Sequence, residues 1–136
     1  MSDLSVPVAI GLGGFVGAVA RFYVSSGIAK ACGEDLAFLG TLSANLIGCF
    51  AIGILATIAT RASVFSPLVQ TCLITGLLGS LTTFSTFAYE SLSLMQTGRF
   101  GAAVLNMGAN LLAGLVLAWL GIQVAGLFLS DVSANG

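Results

Sequence analysis

The amino-acid sequence predicts an all-α integral membrane protein with four transmembrane helices. Hydrophobic residues occupy 57% of the 136 positions and charged residues only 7%, whereas soluble domains carry about 25% charged residues. The mean hydropathy is +1.09. A membrane-spanning helix needs roughly 20 mostly apolar residues. The charged residues leave four uncharged intervals of about this length or longer, which are residues 4–20, 36–60, 62–89 and 100–130.

The composition also excludes several classes of function. The chain contains no histidine, which removes histidine metal sites, catalytic triads and histidine proton relays. Four basic residues are too few for a nucleic-acid-binding surface. The cysteines Cys32, Cys49 and Cys72 form no CxxC pair, so we expect neither a disulfide nor a metal site from them. No nucleophile–base pair is available, and an enzyme is not expected.

The first two predicted spans cover residues 6–29 and 36–60, joined by a turn at residues 30–35 (KACGED). The chain starts with Met1, Ser2, Asp3 and Leu4, without the positively charged region of a signal peptide. The first apolar stretch is therefore expected to remain as a membrane span.

The third and fourth predicted spans cover residues 67–95 and 100–129, after a short loop at residues 61–67. Ser66 is the predicted N-cap of the third span and Pro67 its first helical residue, the positions that these residue types favour. No repeat or linker interrupts the chain, so residues 1–136 are predicted to form one domain.

The third span carries a pattern that favours a break in the middle of the membrane. As a continuous helix it would be roughly 43 Å long at about 1.5 Å per residue, against a hydrocarbon core of about 30 Å. Gly76 and Gly79 precede a segment, residues 80–86, in which five of seven side chains carry hydroxyls. Such a break marks ion sites in transporters. The alternative is a continuous helix whose hydroxyls bond to the preceding turn.

Small residues recur at a spacing of four in three spans, which lets helices approach closely. Their simplest role is packing within the bundle or in a dimer. The few polar side chains indicate that any conduit is narrow. The small residues at this spacing are Gly13 with Gly17, Ala44 with Gly48, and Ala109 with Ala113.

Three asparagines inside the spans are candidates for contact with an anion. Asn45 lies in the second span, and Asn106 and Asn110 share one face of the fourth. An asparagine amide offers two N–H donors without a formal charge, so it can replace hydration water without holding an anion too tightly. The alternative is that these side chains only hydrogen-bond helices together, at roughly 1 kcal/mol each.

Aromatic and charged side chains near the predicted break add further candidates. Phe84 and Phe87 lie one helical turn apart, and the positive edge of a phenyl ring can face an anion, although such pairs usually pack in a core. Arg21 lies near the end of the first span, from where it can extend to the membrane surface. Glu90 has three open roles: pairing with a cation, lining a vestibule or carrying a proton.

The loop charges give only a weak orientation bias. Lys30 and Arg99, with Arg21 nearby, lie on one side of four spans, and Arg61 lies on the other. Because lysine and arginine in short loops favour the cytoplasm, this distribution permits both orientations and hence an antiparallel homodimer. Such a dimer supplies the inverted symmetry that larger transporters encode as repeats.

Three motifs resemble the small bacterial fluoride channels (Fluc, also called CrcB). They are residues 14–21 (GFVGAVAR), residues 40–48 (GTLSANLIG) and residues 76–87, which end in TTFSTF and precede Glu90. The resemblance covers nearly the whole chain. It implies an antiparallel dual-topology homodimer with two pores near the subunit interface. It also implies passive fluoride export across the bacterial inner membrane, with discrimination against chloride and resistance to fluoride as the result.

The resemblance also implies roles for individual residues. Phe84, Phe87 and Asn45 match residues that line the pore in this family. The other matches are Ser85 and Thr86 in the polar track beside them, Arg21 near the aqueous entrance, and Gly79 and Thr82, whose backbone carbonyls would hold a structural sodium ion at the dimer interface.

The chain departs from the family pattern at two places. The family commonly has two glycines where this chain has Gly79 and Ser80, a change that leaves the carbonyls in place. Tyrosine or serine is common where Asn106 and Asn110 stand, which leaves the lining of the pore by the fourth span open.

Two other functions remain open from the sequence alone. A proton-coupled small multidrug exporter also has four short spans, but it needs a carboxylate in the bundle, and Glu90 is the sole substitute. A non-transporting structural subunit would account for the glycine-rich helices. It would leave the TTFSTF segment unexplained.

Overall fold

The computed structural model describes residues 4–62 and 64–134, with side chains as far as residue 130. All regular structure within these ranges is helical. Residues 1–3, Ser63 and residues 135–136 lie outside the described residues.

The first two spans are nearly uninterrupted helices. Helix α1 covers Ser5–Cys32 and helix α2 covers Phe38–Arg61. The turn between them begins later than predicted, because Lys30 still belongs to the last turn of α1. Gly33, at φ 84°, ends the helix in the left-handed region that favours glycine. A short 3₁₀ turn at Glu34–Leu36 then leads into α2.

The third segment starts as predicted, with the Ser66 side chain accepting a hydrogen bond from the Val69 N–H at 3.4 Å and Pro67 as the first helical residue. Helix α3, residues 67–81, has a π-helical centre at Thr71–Leu78. Helix α4 covers Phe84–Gln96. Between them the backbone of Thr82 and Thr83 is extended, with ψ values of 149° and 112°.

Helix α5 forms the last segment, from Phe100 to Ala134, with a π-helical section at Ala109–Ala113. It follows a turn at Gly98, where φ is 76°. Arg99 donates a hydrogen bond from Nη2 to the Asp35 carbonyl oxygen at 2.5 Å. This bond joins the α4–α5 turn to the α1–α2 turn, so both lie at the same end of the molecule.

Four segments are long and apolar enough to cross a membrane, as the sequence predicts. They are Ser5–Cys32, Glu34–Arg61, Pro67–Gln96 and Phe100–Ser130. Many large apolar side chains on them are exposed, among them Phe15 and Phe128. An apolar surface of this kind suits hydrocarbon rather than water, and the chain is a multi-pass membrane protein.

Glycines allow the helices to approach closely. A Cβ at Gly13 or Gly17 of α1 would overlap the backbone of α3 at Cys72 or Leu77. Gly121 of α5 packs in the same way against the backbone of α2. The predicted small-residue pair in α1 thus packs within the bundle, against the helix that precedes the break.

Candidate functional site

The extended residues Thr82 and Thr83 border a groove of about 620 Å³ between α2, α3, α4 and α5, which we call the break groove. It brings together side chains from three spans that are distant in the sequence. None of the described residues that line it carries a charge. The predicted site residues in its lining are Asn45, Gly79, Thr82, Phe84, Phe87 and Asn110.

Asn45 holds the extended backbone in place. Its Oδ1 accepts a hydrogen bond from the Thr83 N–H at 2.8 Å, and its Nδ2 faces the Thr83 carbonyl oxygen at 3.4 Å. In an uninterrupted helix the Thr83 N–H would donate to the carbonyl of Gly79, four residues earlier. The Asn45 side chain therefore replaces a helical hydrogen bond and releases the Gly79 carbonyl. Gly48, one turn after Asn45, leaves room for the Thr82 methyl group.

A chain of hydrogen bonds runs from Asn45 into the bundle. Asn45 donates from Nδ2 to Asn110 Oδ1 at 2.8 Å. Asn110 Nδ2 donates to the Oδ1 of Asn106 at 3.0 Å and to its backbone carbonyl at 2.9 Å. Asn106 Nδ2 donates to Ser91 Oγ at 3.0 Å, and Ser91 donates to the Phe87 carbonyl at 2.8 Å. The two asparagines of α5 thus share a face and contact each other.

The rings of Phe84 and Phe87 lie on one side of the break groove. Their centroids are 5.4 Å apart and their planes meet at 63°, an edge-to-face pair. The Phe84 side chain is 79% exposed, whereas Phe87 is half-buried. Phe84 is therefore not a core residue of the single chain.

Hydroxyls cluster at the start of α4, next to the break groove. The Thr83 hydroxyl lies 3.3 Å from that of Ser85 and 3.0 Å from that of Thr86. Thr83 Oγ1 also accepts the Thr86 N–H at 3.4 Å, which caps the helix. Ser85 and Thr86 thus adjoin the groove without belonging to its lining.

Two predicted residues lie away from the break groove. Arg21 is half-buried on α1 and is not among the described lining residues. Asn106 is fully buried, with no exposed surface, behind Asn110.

Glu90 has a partner that the sequence pattern did not identify. Thr41 donates to Glu90 Oε1 at 2.7 Å, across 49 positions of sequence. The other carboxyl oxygen, Oε2, is buried and has no hydrogen-bond partner among the described residues. Thr41 lies one turn before Asn45 on the same face of α2 and within the motif at residues 40–48, but neither feature pointed to Glu90.

A family model described as CrcB-like protein, Camphor Resistance (CrcB), matches residues 8–122. The chain belongs to the CrcB family. This match extends from α1 into α5 and includes every residue that lines the break groove. It confirms the family resemblance carried by the three sequence motifs.

Relatives of the CrcB chain cover most of its length. A protein of Hydrogenovibrio crunogenus is 43% identical over 123 residues, which span 90% of this chain and 92% of the relative. One from Campylobacter fetus is 42% identical over 85% of this chain and 89% of its own length. A third, from Sulfurimonas denitrificans, is 41% identical over 86% of this chain and 90% of its own length. All three bear the name fluoride-specific ion channel FluC.

Proposed function

We propose that this chain forms a fluoride-selective channel through which fluoride leaves the cell passively, so that the cell resists fluoride. The observation that carries the proposal is the break groove, where the amides of Asn45 and Asn110 and the rings of Phe84 and Phe87 share an uncharged lining. The names of the relatives support the same ion. Passive conduction involves no chemical conversion, and the protein is not an enzyme.

The lining suits a small and strongly hydrated anion. Such an ion leaves water only if other donors replace its hydration shell. Asn45 supplies an N–H group, the phenyl edges carry partial positive charge, and Ser85 and Thr86 offer hydroxyls beside the groove. Because this lining holds no fixed positive charge, it lacks the strong attraction that would keep the ion from leaving.

We further propose that two chains pair in opposite orientations and form two equivalent pores. The break groove is open in the single chain, and Phe84 at its edge is 79% exposed. A second copy would cover this face and complete the wall of each pore. The similar numbers of cationic residues at the two ends, Arg61 against Lys30 and Arg99, favour insertion in both orientations.

A structural sodium ion at the interface of this dimer is part of the proposal. Gly79 and Thr82 flank the turn at which the third segment leaves the helix. The Thr83 N–H bonds to Asn45 instead of the Gly79 carbonyl, so a hard oxygen donor of the kind that coordinates sodium in broken helices is available. We place the break near the membrane midplane and Arg21 near the aqueous entrance of the pore, and the membrane is the bacterial inner membrane.

Fluoride efflux from liposomes tests the proposed function. Purified protein is reconstituted into vesicles loaded with potassium fluoride, and a potassium ionophore allows charge to balance as fluoride leaves. We expect fluoride release well above that of protein-free vesicles, recorded with a fluoride electrode. Release equal to that of empty vesicles would instead support a non-transporting structural subunit.

One observation favours a second candidate, a proton-coupled small multidrug exporter. Inside a span, Glu90 has a carboxyl oxygen for which the described part of the chain offers no hydrogen-bond partner, and such exporters need a carboxylate there. Efflux of a cationic dye that depends on a pH gradient, together with no fluoride release, would support this candidate over the channel.

A further inference from the structure

We infer that Asn106 and Ser91, which do not line the break groove, are positioning residues that fix the orientation of the Asn45 amide and hence the affinity of the groove for fluoride. The inference rests on the proposed channel function. It assigns a purpose to the two asparagines of α5, Asn106 and Asn110, at which the chain departs from the family pattern.

The orientation of the asparagine amides follows, first, from the Ser91 end of the hydrogen-bond chain. The Phe87 carbonyl only accepts hydrogen bonds, so the single Ser91 proton is used for the 2.8 Å bond to it. Ser91 Oγ must then accept a hydrogen bond from Asn106, whose N–H₂ group faces it at 3.0 Å. The Asn106 oxygen consequently faces Asn110 and accepts from its N–H₂ group.

The Thr83 end of the hydrogen-bond chain requires the same orientation of the amides. The Thr83 N–H only donates, so the group that faces it at 2.8 Å must be the Asn45 oxygen. The Asn45 N–H₂ group then faces Asn110 Oδ1 at 2.8 Å. The hydrogen-bond chain thus ends in a backbone acceptor, the Phe87 carbonyl, and in a backbone donor, the Thr83 N–H. Only one orientation of the three asparagine amides therefore satisfies every bond.

The position of Asn110 strengthens this arrangement. Asn110 lies in the π-helical section Ala109–Ala113, and its side chain donates to the Asn106 backbone carbonyl as well as to the Asn106 side chain. Both protons of its amide nitrogen are thereby held by Asn106. π-Helical sections within α-helices are frequent at functional sites.

This orientation of the amides has a direct consequence for an anion in the break groove. One Asn45 N–H bonds to Asn110 at 2.8 Å, while the other faces the Thr83 carbonyl at 3.4 Å, longer than the usual 2.9–3.0 Å. This second N–H is the weakly held donor that fluoride recruits. A reversed Asn45 amide would present an oxygen to fluoride and would place that oxygen against the acceptors of Thr83 and Asn110.

The test measures the fluoride concentration that gives half-maximal efflux, in liposomes containing the full chain. For Asn106→Leu, similar in size but without hydrogen bonds, we expect this concentration to rise about tenfold, which corresponds to about 1.4 kcal/mol. Ser91→Ala should raise it in the same direction, and the double variant no further than Asn106→Leu alone. The control Thr57→Val removes a buried hydroxyl that donates to the Gly53 carbonyl within α2, and it should leave the half-maximal concentration within about twofold.

Asn106→Asp provides a rescue. At acidic pH the introduced carboxyl is protonated, donates to Ser91 and accepts from Asn110, as the amide does. At this pH the half-maximal fluoride concentration of each variant is divided by that of the unsubstituted chain. This ratio should be smaller for Asn106→Asp than for Asn106→Leu.

The outcomes separate this inference from the channel function. If the unsubstituted chain releases no fluoride, the proposed function fails and the inference fails with it. If the unsubstituted chain conducts and Asn106→Leu and Ser91→Ala change only the maximal rate, the inference alone is overturned, because loss of active protein lowers the rate without changing the half-maximal concentration. The same conclusion follows if protonated Asn106→Asp behaves as Asn106→Leu.

Discussion

At the scale of single residues, the rings of Phe84 and Phe87 are the largest side chains beside the break groove that offer partial positive charge to an anion. Their edge-to-face contact, with ring centroids 5.4 Å apart, holds the two rings together in the lining that also contains Asn45. An aliphatic side chain of similar volume would fill the same space but would lack the ring quadrupole.

We expect Phe87→Ile and Phe84→Ile each to reduce fluoride efflux by about two- to tenfold, because an aromatic contact is worth about 0.5–1.5 kcal/mol beyond its burial and 1.4 kcal/mol corresponds to about tenfold. Initial efflux rates from liposomes of equal protein content provide the measurement. Phe128→Ile is the matched control, since Phe128 is an exposed ring on α5 outside the break groove. Full flux in both groove variants would remove the rings from the mechanism.

Helical spacing predicted which residues share a face, but it did not predict their partners. It placed Asn106 with Asn110, and the hydrogen bond between these two α5 asparagines follows from that spacing. The bond between Asn45 and Asn110 joins residues 65 positions apart. Such contacts depend on how the spans pack, which a single sequence does not encode locally.

At the scale of helices, the third segment leaves the helix at Thr82 and Thr83, after the glycines that favour a break in the sequence. Gly76 stays within the helix and packs against the backbone of α1, where a Cβ would meet the Ile10 carbonyl. The hydroxyl-rich residues and Asn45 replace the missing backbone bonds. The π-helical sections in α3 and α5 were not predicted from the sequence.

Close helix packing gives a prediction about stability. Gly17→Val should lower the thermal unfolding temperature in detergent and destabilise the bundle by about 3 kcal/mol, because the new side chain overlaps the Leu77 carbonyl. Gly27→Val on the same helix is the control, since a Cβ there meets nothing within 4 Å. Equal unfolding temperatures for the two variants would show that α1 does not pack on α3 in this way.

At the scale of the whole molecule, the distribution of the cationic residues determines whether both orientations occur. The Arg99 bond to Asp35 places two turns at one end, together with Lys30, while Arg61 lies at the end of α2. Removing Arg61 leaves all the loop cations on one side, and the positive-inside rule then favours a single orientation.

We therefore expect Arg61→Gln to insert almost entirely in one orientation and to lose fluoride efflux, because antiparallel pairs no longer form. Labelling of the exposed Cys32 with a membrane-impermeant thiol reagent in intact cells reports the fraction facing outward. Lys30→Gln makes the loop charges more even and should retain both orientations and efflux. A single orientation in the unsubstituted chain would contradict the dual-topology dimer.

The most direct test of the central claim compares fluoride with chloride in liposomes of one preparation. With potassium ionophore present, we expect rapid fluoride release and chloride release no faster than from protein-free vesicles. The groove holds uncharged donors, and in the proposed pore these would replace the hydration shell of the smaller ion alone. Equal release of both anions, or no fluoride release, would contradict a fluoride-selective channel.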